Sequence, residues 1–115
     1  MTIKRIQTGP RMSQAVIHNQ TVYLAGQVAP GASVAVQARE ILAGIDALLA
    51  QAGTDKSRLL SATIWLTNMA TFAEMNSVWD SWVAPGETPT RATVVSPQLA
   101  SGEFKIEIAV VAALP

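Results

Sequence analysis

The chain contains no cysteine and only one histidine, His18. The absence of cysteine excludes a disulfide framework, a thiolate nucleophile and a cysteine-based metal site, and it fits a reducing compartment. We therefore expect a cytoplasmic protein. A single histidine with scattered carboxylates has no metal-ligand spacing, and nothing near it resembles a nucleophile elbow. The sequence predicts no metal ion and no Ser-His-Asp triad.

Charge is also scarce and balanced. Eight basic and eight acidic residues give a formal net charge of zero, and only 14% of the 115 residues are charged. Because the basic residues are scattered, the chain lacks the positive patch that binds a nucleic acid backbone, and we expect no nucleic acid partner.

Long apolar runs are missing too. The longest, over 106–114, is interrupted by Glu107 and too short to cross a bilayer, so no membrane contact is expected.

Apolar residues, in contrast, are plentiful. They make up 50% of the chain, while the charged fraction lies well below the usual level of about 25%. We expect part of this apolar surface to be covered by another copy of the chain, which predicts an oligomer. Residues 1–115 are long enough for one core, and neither a repeat nor a linker divides them, so a single domain is predicted.

Local signals in the first half predict three strands and a helix. A strand over 3–8 ends at a Gly-Pro pair, and a hairpin follows with arms over 15–18 and 22–25. Ser33 is a good N-cap for a helix whose apolar residues repeat at helical spacing. Gly53 provides its C-terminal stop.

The second half predicts a strand, a helix and two more strands, which gives the order β-β-β-α-β-α-β-β. Alternation over 60–67 indicates a strand with one buried face, and a helical stripe of large apolar residues follows it. Final strands are predicted from Pro89 and from Phe104. The predicted buried face of the strand over 60–67 is Leu60, Ala62, Ile64 and Leu66. The helical stripe is Phe72, Met75, Trp79 and Trp82. The order predicts an α+β fold with a mixed sheet.

Two charged residues stand in this apolar second half. Arg91 lies at the entry to a β-branched strand, and Glu107 lies on the polar face of the last strand beside Lys105. On residues alone, Arg91 is a surface arginine or an anion site, and Glu107 either pairs with Lys105 for about 0 to 1 kcal/mol or serves a site. Their setting in what we take to be two adjacent strands favours a site, because an unpaired charge in an apolar region is costly. The three tryptophans suggest base stacking, but Trp79 and Trp82 lie on the helical stripe, where core packing is favoured.

Several segments together resemble the RidA/YjgF family of reactive intermediate deaminases. They are TRATV at 90–94, KIEI at 105–108, YLAGQ at 23–27 and QAR at 37–39. The resemblance implies a chorismate mutase-like (YjgF-like) α+β protomer, with a mixed sheet of about six strands covered on one face by two helices. It also implies a homotrimer with three intersubunit sites. The implied reaction is hydrolysis of 2-imino acids, released as enamines by pyridoxal phosphate enzymes, to 2-oxo acids and ammonia without a cofactor.

The resemblance also assigns roles to individual residues. Arg91 matches the arginine that binds the substrate carboxylate, and Glu107 matches the carboxylate that orients the attacking water. Thr93 falls where backbone groups hold the ligand. Gly26 allows a close approach of the backbone to a small ligand, and Gln27 lines the cleft.

One departure from the family pattern concerns the wall of the implied site. Arg11-Met12 stands where well-known members carry a tyrosine, and Val28-Ala29 replaces an Ile-Pro-like pair. Arg11 either adds a second positive group or points to solvent. The departure leaves an alternative function open, a trimeric binding protein for small carboxylates without catalysis. A nuclease or nucleic-acid role comes third, because the neutral charge argues against it.

Overall fold

The computed structural model describes residues 2–115. Its elements are β1 (Lys4–Thr8), β2 (Ser13–His18), β3 (Thr21–Leu24), α1 (Val34–Ala52), β4 (Leu59–Leu66), α2 (Phe72–Trp82), β5 (Thr90–Val95) and β6 (Ile106–Ala113). Short 3-10 helices at Lys56–Arg58 and Met69–Thr71 lead into β4 and α2. The predicted order of strands and helices is confirmed.

All six strands form one mixed sheet in the order β1-β2-β3-β6-β4-β5. Neighbours are antiparallel except β4 and β5, which are parallel. A parallel pair needs a crossover connection, and α2 supplies it. The predicted α+β fold, with two helices on one face of a mixed sheet, is confirmed. No helix within residues 2–115 is long and apolar enough to cross a membrane.

Local capping sets the ends of α1 where the sequence predicts them. The Ser33 side chain accepts a hydrogen bond from the backbone N–H of Val36 at 3.2 Å. Gly53 adopts a left-handed conformation with φ 93°, which glycine reaches without the penalty of a Cβ. The predicted turn between β2 and β3 is also confirmed, with positive φ at Asn19 and Gln20.

The core lies between the helices and one face of the sheet, which we call the helix face. Strand β6 shows the division: alternate side chains are 0–1% exposed, while those between them are half-buried. The opposite face, which we call the open face, carries no helix within residues 2–115. The buried residues of β6 are Ile106, Ile108, Val110 and Ala112, and they pack with Ile41, Leu42, Ile45 and Leu49 of α1.

The predicted burial of Leu60 is wrong. Leu60 is 49% exposed, while Leu59 is 6% exposed and belongs to the core. An irregularity in the pairing with β6 between Leu59 and Ser61 shifts the register there. A β-bulge of this kind adds one residue and reverses the alternation on its far side. From Ala62 onward the predicted pattern holds.

Two further differences lie at the ends of elements. Phe72 opens α2 and is 39% exposed, although Met75 and Trp79 of the same predicted stripe are 1% and 6% exposed. Strand β6 begins at Ile106 instead of Phe104 and continues to Ala113. The backbone N–H of Phe104 donates instead to the Ser101 carbonyl at 3.1 Å, which closes a turn before the strand.

Candidate functional site

Arg91 projects from the edge strand β5 toward α2. In the parallel register it lies beside Ala62 of β4, which is buried, so its side chain is on the helix face. Its guanidinium carbon lies 5.8 Å from the ring centroid of Phe72 and 5.4 Å from that of Trp79. Within residues 2–115 its side chain forms no hydrogen bond and no ion pair. Arg91 is half-buried as a residue, and its guanidinium N–H donors are used by no acceptor among these residues.

Thr93 lies on the same face of β5, beside Ile64 of β4. Its hydroxyl oxygen is buried and has no hydrogen-bond partner among the described residues. Most buried polar atoms in proteins have a partner, so this hydroxyl is a second group free to contact a ligand. Because β5 is an edge strand, its outer backbone groups are also unpaired by the sheet.

Glu107 lies on the other side of the sheet. It pairs in register with Trp65, three residues from Ala62 along β4, and an odd separation places the two side chains on opposite faces. Glu107 is therefore on the open face. The expectation that Arg91 and Glu107 occupy adjacent strands is wrong, because β4 lies between β5 and β6. A single protomer does not bring these two side chains together.

Gly26 is instead the immediate neighbour of Glu107. A Cβ built at Gly26 would overlap the carboxylate oxygen Oε2 of Glu107, so this side chain lies directly against the glycine backbone. The backbone N–H of Gln27 donates to the Ile108 carbonyl at 2.8 Å, and the Ile108 N–H donates to the Gln27 carbonyl at 3.1 Å. This short bridge holds the segment after β3 against β6. The absent Cβ leaves the space that Glu107 occupies.

Gln27 is oriented by a residue that the sequence did not single out. Its amide nitrogen Nε2 donates to Gln14 Oε1 at 3.0 Å and to the Ala25 carbonyl at 2.9 Å. With both amide protons used, the Gln27 oxygen is left as an acceptor. The structure therefore brings Gly26 and Glu107 together, while the Gln27 side chain is held by Gln14.

Arg11 lies in the turn between β1 and β2 and is exposed. A 2.8 Å hydrogen bond from the Gly9 N–H to the Met12 carbonyl closes this turn. Within residues 2–115 the Arg11 side chain forms no hydrogen bond and no ion pair. Within residues 2–115 there is no group of three or more His, Asp or Glu side chains that could hold a metal ion.

Gln37 is a structural residue that the sequence reasoning missed. It is 0% exposed, and its Nε2 donates to the carbonyls of Gly31 and Glu103, both at 2.9 Å. Its Oε1 accepts from the backbone N–H of Lys105 at 2.8 Å. This one amide ties the loop before α1 to the segment that leads into β6 and Glu107. The available signal was a polar residue on the apolar stripe of α1, four residues before Ile41.

Comparison with known proteins places the chain in a family. Residues 2–114 match the family model described as Endoribonuclease L-PSP. A RutC family protein of Haemophilus ducreyi is 44% identical over 114 residues, covering 97% of each chain. The crystal structure of a YjgF family member from Neisseria meningitidis is 44% identical, has a TM-score of 0.97 and covers 100% of this chain and 97% of the other.

A structure from the conserved Rid protein family of Yersinia pestis is similar as well. It is 28% identical, has a TM-score of 0.92, and the match covers 98% of this chain and 100% of the other. The chain belongs to the RidA/YjgF family, whose members also carry the names RutC and Rid, and its fold is the YjgF fold.

Proposed function

We propose that this member of the RidA/YjgF family is a deaminase that hydrolyses reactive 2-imino acids and their enamine forms to 2-oxo acids and ammonia. The observation that supports this proposal most is the lack of partners for the Arg91 side chain. Arg91 is half-buried, and its guanidinium is used by no acceptor within residues 2–115. Beside it, the buried hydroxyl of Thr93 also lacks a partner among those residues. Two unpaired polar groups on one strand face suit a small anionic ligand.

Arg91 would hold the substrate carboxylate. A planar guanidinium can donate two parallel hydrogen bonds to a carboxylate, which fixes both the position and the plane of the acid. Outward backbone N–H groups of β5 near Thr93 would add further donors. The C=N carbon, one bond from the carboxylate carbon, is then held at a fixed distance from the arginine.

Glu107 would manage the protons of the reaction. An imine carbon is already electrophilic, so the enzyme needs positioning and proton transfer more than a strong nucleophile. Glu107 accepts a proton from the attacking water as the C–O bond forms, and the nitrogen gains that proton. Glu107 next takes the hydroxyl proton as the C=O bond forms and passes it to the amino group, so that the C–N bond breaks and the nitrogen leaves as ammonia. One imine and one water thus give one 2-oxo acid and one ammonia, with no cofactor.

A second copy of the chain would complete the site. Arg91 and Glu107 lie on opposite faces of one sheet, so a ligand that contacts both needs the Arg91 of one protomer and the Glu107 of another. The open face carries exposed apolar side chains, including Tyr23 at 49% and Val94 at 43% exposure. Such a surface favours burial against another copy. We propose a homotrimer in the cytoplasm with a site in each cleft between subunits.

The direct test is a trapping assay. An amino acid oxidase or a dehydratase generates the imine, and semicarbazide converts the surviving imine to a semicarbazone. The protein is expected to lower the rate of semicarbazone formation for at least one amino acid. An unchanged rate across apolar, polar and acidic amino acids would contradict the proposal.

Arg91→Ala gives the residue-level test, with Arg39→Ala as its matched control. Arg39 is an exposed arginine of α1, so its removal should change neither activity nor assembly. Arg91→Ala is expected to abolish the effect on trapping while the protein keeps its size in solution. Full activity in this variant would show that Arg91 does not belong to the site.

The substitution at Arg11-Met12 favours a second candidate, a binding protein for small carboxylates without turnover. This candidate keeps the Arg91 anion site and lacks the hydroxyl that well-known members place in the cleft. Titration calorimetry with 2-oxo acids separates the two. Binding without any change in semicarbazone formation supports the second candidate, whereas binding together with a lowered rate supports the deaminase.

A further inference from the structure

We infer that Phe72 and Trp79 form an aromatic clamp that positions the guanidinium of Arg91 for its ligand. The inference rests on the proposed function and adds two positioning residues to the same site. Both ring centroids lie within about 6 Å of the guanidinium, the range in which cation–π attraction operates. The measured distances are 5.8 Å to Phe72 and 5.4 Å to Trp79.

Trp79, the inner ring of the clamp, is held rigidly by its neighbours. Trp79 is 6% exposed, and its ring packs against that of Trp82 with centroids 5.4 Å apart and planes 51° apart. The Trp82 ring is held in turn, because its Nε1–H donates to Asp46 Oδ2 of α1 at 3.0 Å. The position of Trp79 is therefore set by the packing of the two helices.

Phe72 is the outer, more exposed ring of the clamp. It is the first residue of α2, which follows the 3-10 helix Met69–Thr71. Asn68 caps that 3-10 helix, since its Oδ1 accepts from the Ala70 N–H at 2.9 Å. Trp79 follows Phe72 by seven positions along α2, about two helical turns, so both rings lie on the same side of the helix. This placement explains the exposure of Phe72, since its ring contacts Arg91 instead of the core.

Aromatic faces suit a binding arginine better than a carboxylate partner does. An aspartate or glutamate beside Arg91 would use its in-plane N–H donors and neutralise its charge. The rings attract the cation electrostatically and accept none of those in-plane bonds. They also exclude water from part of the guanidinium, which strengthens its attraction for an anion. Arg91 is thus held in place while its donors and charge remain available.

The test measures binding of 2-oxobutanoate, used as a probe for the 2-oxo acid product, by titration calorimetry. Phe72→Leu and Trp79→Leu are expected to weaken binding roughly three- to thirtyfold, because each removes one cation–π contact. Phe72→Tyr and Trp79→Phe keep an aromatic face and should bind within about twofold of the unaltered protein. Phe104→Leu is the matched control, because no ring contact of Arg91 involves Phe104.

Kinetics distinguish positioning from loss of structure. In the trapping assay the leucine variants should show a raised KM with kcat changed less than about threefold, since they weaken the carboxylate anchor without touching the reacting atoms. A folding defect would instead lower the active fraction and hence kcat. Because Trp79 is buried, Trp79→Leu can misfold. If it does, Phe72→Leu, which changes the exposed ring, is the deciding variant.

The failure of the inference differs from the failure of the proposed function. If the unaltered protein neither binds 2-oxobutanoate nor changes semicarbazone formation, the proposed function fails and the inference fails with it. If the protein binds the probe through Arg91, as shown by loss of binding in Arg91→Ala, but Phe72→Leu and Trp79→Leu bind as tightly as before, only the clamp is wrong.

Discussion

The two faces of the sheet divide the proposed chemistry between them. On the helix face, Arg91 projects from the edge strand and lies between two aromatic rings. On the open face, Glu107 lies against Gly26 with no helix over it. The alternation that builds the core also separates these side chains, although they are close in the sequence. In the proposed deaminase each protomer therefore carries two half-sites, and this arrangement explains why the chain would need another copy to act.

The largest expected difference between the faces is in stability. Ile108→Ala removes a fully buried side chain on the helix face and should lower the free energy of unfolding by about 2–5 kcal/mol. Val111→Ala shortens a half-buried side chain of the same strand on the open face and should cost less in the monomer, while it weakens assembly. Urea unfolding at low and high protein concentration measures both effects. Equal losses in the monomer would show that the two faces do not differ in this way.

Gln37 holds the loop before α1 against the segment that leads into β6. Gln37→Leu leaves the Gly31 and Glu103 carbonyls and the Lys105 N–H without their partner, and it should lower the free energy of unfolding by about 3 kcal/mol. Gln51→Leu is the matched control, because Gln51 is exposed and bonds only to Gln7. It should change stability by less than about 0.5 kcal/mol. Similar losses for both variants, measured by urea unfolding, would contradict a special role for Gln37.

These residues show which features the sequence could predict. Capping at Ser33 and Gly53, the hairpin turn and the order of elements follow from signals within a few residues, and all were predicted correctly. The exposure of Leu60 and the position of β4 between β5 and β6 depend on strand register and topology. Both are set by contacts between distant residues, so periodicity along the chain does not contain them.

The candidate site shows the same limit. The sequence singled out Arg91 and Glu107 as candidates, because charge in an apolar region stands out, but it could not show that they lie on opposite faces. Gln14 and Gln37 were missed because hydrogen bonds between distant segments leave little local pattern. Phe72 was assigned to the core because its helical spacing is right, while its position at the first turn of α2 turns its ring to Arg91.

On the open face, Gly26→Ala tests the contact with Glu107. The new Cβ would overlap Glu107 Oε2, so the flexible carboxylate must move, and we expect about a tenfold loss of activity with a stability change below about 1 kcal/mol. Gly44→Ala is the control, because no atom of residues 2–115 outside its chain neighbours and its own helix backbone lies within 4 Å of its Cβ position. In the middle of α1 it should raise stability by up to about 1 kcal/mol. If Gly26→Ala lowered the rate of semicarbazone formation as much as the unaltered protein does, Glu107 would have no part in the reaction.

The smallest effect concerns the turn that leads into β4, the strand between the two half-sites. The Ser57 hydroxyl and backbone N–H both donate to Asp55, and together they hold the pKa of its carboxyl below the ordinary value. A depressed pKa in the folded state adds stability above the unfolded pKa, and this is lost as the pH falls through the folded pKa. Ser57→Ala should raise the Asp55 pKa in a carboxyl NMR titration, and an unchanged value would contradict these contacts.

The measurement that tests the two-copy site most directly is complementation between inactive variants. Arg91→Gln and Glu107→Gln are prepared with different affinity tags, and mixed assemblies, which are trimers in the proposed state, are isolated through both tags. Each mixed trimer has one cleft with an unaltered Arg91 from one subunit and an unaltered Glu107 from its neighbour, so it should recover about one third of the activity of the unaltered trimer. Mixed trimers as inactive as the two parent variants would contradict a site shared between copies.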